Sequence, residues 1–61
     1  MTEEQVLWGA VSMLMKQHGD EAPRKVAERI GSLAMEGDMA GVALWREIAR
    51  RMDTMMRVSE Q

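Results

Sequence analysis

Sixty-one residues make at most one domain, and a domain near this size buries only about 60% of the surface its unfolded chain exposes. There is no cysteine and a single histidine, His18. Disulfides, thiolate zinc sites and any multi-histidine site within one chain are therefore excluded. Ten acids against eight bases give a net charge of −2, a balance that announces no nucleic-acid partner.

Small chains lean on disulfides, a metal, tight helix packing or a second copy of themselves. With the first two gone or unsupported, the last two remain. No cofactor is expected. Phe, Tyr and Cys are absent and Ala, Met, Leu, Glu and Arg dominate. These are strong helix formers, so the composition predicts an all-α fold. The expectation is a single domain over 1–61: a small bundle of three short antiparallel helices, about 3–18, 21–36 and 39–57, with a frayed tail at 58–61. Short connections favour antiparallel neighbours.

The first helix opens at "TEEQ". Thr2 and Gln5 fit a capping box, in which each side chain satisfies the other residue's backbone N–H. Glu3 and Glu4 suit the positive end of the helix dipole. Gly19 is placed to end the helix near Gln17 or His18. Between these signals lies "VLWGAVSMLM", residues 6–15, apolar around most of its circumference. It is too short to span a bilayer, which takes roughly 20 apolar residues, and its acidic flank does not fit a secretory signal. A soluble cytoplasmic protein is the expectation.

Gln5, Gly9, Ser12 and Lys16 fall on one narrow strip of this helix. Val6, Leu7, Ala10, Met13 and Leu14 read as one side, and Trp8, Val11 and Met15 as another. Two neighbours from one chain cover only part of so apolar a helix. The remainder predicts a homodimer, most simply with two-fold symmetry, whose contact is lined by Trp8, Val11 and Met15, together with Leu7 and the outlying Met35.

The second helix is read from Asp20 as its N-cap, with Pro23 in the first turn, where a missing N–H costs nothing. It should bury Val26, Ala27, Ile30, Leu33 and Ala34, with Ala27 and Gly31 forming a shallow spot for Trp45. "EGD", 36–38, repeats the stop-and-cap device: Gly37 ends one helix and Asp38 caps the next. In the third helix Gly41, Trp45, Ile48, Met52 and Met56 recur at helical spacing, flanked by Val42, Ala49 and Met55. Leu14, Val26, Ile30, Leu33, Trp45, Ile48 and Met52 form the expected core.

His18 with Asp20 and Glu21 offers too few ligands for a catalytic metal, which usually takes three from the protein; both His18 and Asp20 have helix-end roles instead. Met13, Met15, Met52, Met55 and Met56 read as core packing or as a pliable partner surface, ahead of a soft-metal site. Arg46, Arg50, Arg51 and Arg57 line one side of the third helix and allow a reading as a DNA-contacting strip. Glu47 and Asp53 interrupt it, and Glu47–Arg51 is an i,i+4 pair. No phosphate loop or nucleophile–base constellation is present, so enzyme activity is not expected. A non-enzymatic protein-interaction module is the leading reading. A DNA-associated regulator and a phage- or plasmid-type inhibitor that docks on a host protein are the alternatives.

Two resemblances add to this. "RIGSLAMEGDMAGVALWREIA", 29–49, resembles part of a tetratricopeptide repeat at Gly37, Asp38 and Ala49. It departs from that pattern at Val42, at Gly31 and in lacking the closing proline. The whole chain is similar to a group of bacterial proteins of about sixty residues and unknown function. Trp8, His18-Gly19-Asp20, Ala27, Arg29, Gly37-Asp38, Gly41, Trp45 and Ile48 carry that likeness. It implies an intracellular helical protein and no particular activity.

Overall fold

The computed structural model describes residues 2–59, and the side chains of 2–58. All secondary structure among these residues is helical. α1 spans Glu3–His18, a 3-10 turn spans Gly19–Glu21, α2 spans Ala22–Glu36 and α3 spans Met39–Ser59.

The chain starts as its first four residues dictate. The Thr2 hydroxyl accepts from the Gln5 N–H at 3.2 Å, and the Gln5 carboxamide oxygen accepts from the Thr2 N–H at 3.1 Å. This is the reciprocal capping box.

The junction of α1 and α2 differs from expectation. Asp20 caps nothing: α2 begins without a side-chain cap. The residue before α2 is Glu21, and a 3-10 turn carries the chain straight from α1 into α2. With no linker between α1 and α2, the molecule counts as two helical stretches, 3–36 and 39–59, in place of three separate rods, the first bent at Gly19. The reversal is made at Gly19, at φ 56° and ψ −128°, whose N–H donates to the Met15 carbonyl. A side chain rarely adopts that conformation, whereas glycine does so freely. Pro23 follows in the first turn of α2, where its missing N–H has no intrahelical partner to lose.

The second reversal follows the sequence closely. Gly37 is left-handed at φ 79°, and its N–H donates to the Ala34 carbonyl. The Asp38 N–H donates to the Leu33 carbonyl at 2.9 Å. Together these form a Schellman C-cap. The Asp38 carboxylate then accepts from the Gly41 N–H at 2.9 Å and caps α3. α3 continues to Ser59, two residues past the expected end, so residues 58 and 59 are helical. The rest of the expected tail, 60–61, lies outside the described residues.

α2 and α3 form an antiparallel hairpin. Arg29 lies over the Trp45 ring, 5.7 Å from its centroid. Farther from the turn, Pro23 and Val26 share a cleft with Ala49, Met52, Asp53 and Met56. α1 lies against this hairpin, mainly on α3. The core is Leu7, Val11, Ala22, Val26, Ile48 and Met52. Leu33 and Val42, four residues either side of the turn, are buried as well.

Of the expected core, Val26, Leu33, Ile48 and Met52 are buried, whereas Leu14, Ile30 and Trp45 are half-buried. Ala27, Gly31 and Ala34 are exposed. They turn away from the Val26–Leu33 face, so Trp45 meets Arg29 in place of a small-residue notch. Ala22 is fully buried; its place beside a capping segment gave no sign of this.

Candidate interaction surface

Which sector of α1 faces inward decides what this molecule leaves uncovered. Leu7 and Val11, one helical turn apart, point into the core. Both are covered by the chain's own helices, so neither is available to line a contact with another copy. This corrects the expectation that placed them there. Met15 and Trp8 are half-buried, and Ala10 and Leu14 sit at the edge of the core.

The opposite flank carries the exposed apolar groups. Val6 is 53% exposed and Met13 is 62% exposed. Seven residues apart, they lie on the same side of the helix. Between them are Gly9, which is exposed, and the half-buried Ala10.

A charge clasp joins α1 to α3 on the side of Leu7 and Val11. Glu4 stands three residues before Leu7 and seven before Val11, on the inward face. Its carboxylate accepts two hydrogen bonds from Arg51 of α3, at 2.8 Å from Nε and 2.5 Å from an Nη. The other Nη of Arg51 donates to the Glu47 carboxylate at 2.9 Å and to the Glu47 carbonyl at 3.0 Å. The Arg51 side chain is only 16% exposed. Its hydrogen bonds hold the Glu4 carboxyl below the ordinary value, against partial desolvation that pushes it up. The Glu47 carboxyl is lowered by the hydrogen bond from Arg51 and then by the nearby charge of Arg50. The two carboxylates raise Arg51 in turn, so it stays charged at any working pH.

This arrangement removes Arg51 from the strip read as a DNA contact. Arg46, Arg50 and Arg57 remain exposed on the outer side of α3. Arg50 is within 3.5 Å of Glu47, and Arg57 is within 3.2 Å of Asp53. Two of these three arginines, Arg50 and Arg57, are thus paired with the acids that interrupt the strip in sequence.

Other candidates resolve as follows. Met35 is 92% exposed and stands on α2, with the exposed Met39 across the turn. The methionines do not share one environment: Met52 is buried, Met15, Met55 and Met56 are half-buried, and Met13 is exposed. Among the described residues no three His, Asp or Glu side chains converge as a metal site. The cleft between α2 and α3 has a volume of about 240 Å³, below the usual range for a small-molecule pocket, roughly 300–1,000 Å³. No helix among the described residues is long and apolar enough to cross a membrane.

Fold and surface together define a small, thin, all-helical protein whose conspicuous features are helix caps, one charge clasp between α1 and α3 and exposed apolar side chains. The chain belongs to a family of unknown function, DUF6961, whose model matches residues 3–60. The comparisons with curated proteins and with solved structures gave no match. The whole-chain likeness to a family of small proteins is thereby shown; the tetratricopeptide one is not.

Proposed function

We propose that this protein is a small non-enzymatic interaction module that pairs with a second copy of itself through α1. The observation that carries this reading is the exposure of Val6 and Met13, two turns apart on one flank of a helix whose other face is already in the core. The contact differs from the sequence expectation in its residues: Leu7 and Val11 are spent on the chain's own interior, and Val6 and Met13 take their place.

A cysteine-free chain also fits a reducing compartment such as the cytoplasm. Light scattering across a concentration series tests the pairing. The mass should rise toward twice that of the chain over tens of micromolar, and a constant monomer mass would refute the reading.

A further inference from the structure

Within 3–36, only Gly19 has a positive φ. His18 before it and Glu21 and Ala22 after it have right-handed backbone, whereas Gly19 stands at φ 56° and ψ −128°. Turning this residue alone to helical values, about −63° and −42°, swings α1 away from its own α2–α3 hairpin. α1 has 16 residues and is about 24 Å long, so the rotation carries its far end clear of the core. The rest of the junction need not change. The Gly19 carbonyl already accepts from the Ala22 N–H, so Pro23 keeps its place in the first turn of α2 and deprives that carbonyl of nothing.

What α1 leaves behind determines where it goes. Leu7 and Val11 share one core with Ala22, Val26, Ile48 and Met52. An open chain by itself bares all six. α1 packs mainly on α3, and its clasp joins Glu4 to Arg51, forty-seven positions away. Contacts so remote from the hinge are made equally well by α3 of another chain. Two open chains therefore complete each other's cores, in the closed two-fold exchange that short hinges permit.

We infer that Gly19 is a one-residue latch: its positive φ keeps α1 on its own hairpin, and helical backbone there releases α1 to the hairpin of a second copy, as an exchanged-helix dimer. This is separate from the flank pairing proposed above. In the exchanged form α1 meets its partner through Leu7 and Val11, which the closed chain keeps covered.

The test uses chains that all carry Met13→Lys, so the flank contact plays no part. Gly19→Ala disfavours the positive φ, and its added Cβ meets nothing within 4 Å. Gly19→D-Ala, made by chemical synthesis, favours the positive φ by mirror symmetry. Sedimentation should find Gly19→Ala dimeric at tens of micromolar. Its association should be at least about thirtyfold tighter than that of the Gly19 chain, since two copies escape the unfavourable backbone. Gly19→D-Ala should stay monomeric. Isotope-labelled and unlabelled Gly19→Ala chains, refolded together in equal amounts, should show filtered NOE contacts of Leu7 and Val11 with Ile48 and Met52 between chains. A Gly19→Ala chain that stays monomeric, or unfolds, at several hundred micromolar would overturn the latch. So would a dimer whose Leu7 and Val11 contacts remain within one chain, or a Gly19→D-Ala chain that pairs as tightly as Gly19→Ala.

Discussion

Single side chains hold this molecule together at identifiable points. Asp38 satisfies the Gly41 N–H at the start of α3. Replacing such a cap by alanine typically costs about 0.5–2 kcal/mol, and in a domain this small 1 kcal/mol moves the melting temperature by about 4–8 °C. Asp38→Ala should therefore melt several degrees lower by circular dichroism, with unchanged helix content at 10 °C. Met52 is almost fully buried, and truncating a buried methionine to alanine costs about 2–5 kcal/mol. At about 0.05–0.15 kcal/mol per residue, the whole chain has a stability of the same order. Met52→Ala should therefore lose a large part of that stability, read at 25 °C as a much lower urea midpoint. The caps at Thr2–Gln5 and Gly37–Asp38 are legible in the sequence because a cap is a local contract between residues three or four apart. The fate of Arg51 is not legible, because its partner Glu4 lies forty-seven positions away.

At the scale of elements, the α3 stripe Gly41–Trp45–Ile48–Met52–Met56 turns inward as its spacing requires, because apolar and polar residues alternate cleanly around that helix. α1 offers no such contrast. Apolar side chains occupy most of its circumference, so periodicity leaves the buried sector undetermined; Leu7 and Val11 fill it, with the Glu4–Arg51 clasp beside them. This clasp has a pH signature. The Glu4 and Glu47 carboxyls are both lowered on folding. Their contribution is complete above the ordinary carboxylate value of 4.5 and is lost as the pH falls through their lowered folded values. Urea midpoints measured from pH 7 down to pH 2.5 should fall less steeply in Glu4→Gln than in the unaltered chain. Equal slopes would show that the clasp does not contribute. The α1–α2 junction misled the sequence reading for a different reason: Asp20 is a good N-cap by type, but a 3-10 turn already carries the helical path through it. Gly19 makes the reversal instead, and Gly19→Ala should lose about 1–3 kcal/mol for its strained backbone, read as a lower urea midpoint.

The whole molecule measures 37 × 28 × 18 Å. Its short dimension is less than two helix diameters of about 10–12 Å each, so no helix can be surrounded by its own chain. The helices share a small core and each keeps a face outward. On α2 and α3 those faces carry most of the charge together with exposed Met35, Met39, Leu44 and Val58; on α1 the outer flank is Val6, Gly9 and Met13. The family model that spans residues 3–60 is one of unknown function, and the apolar flank of α1 is the surface on which we propose that a second copy docks. Sedimentation equilibrium of the unaltered chain beside Met13→Lys tests that most directly. The unaltered chain should approach a dimer mass as concentration rises past tens of micromolar, and Met13→Lys, with the same helix content, should remain a monomer. An unaltered chain that stays monomeric at several hundred micromolar, or a Met13→Lys variant that dimerises equally well, would contradict it.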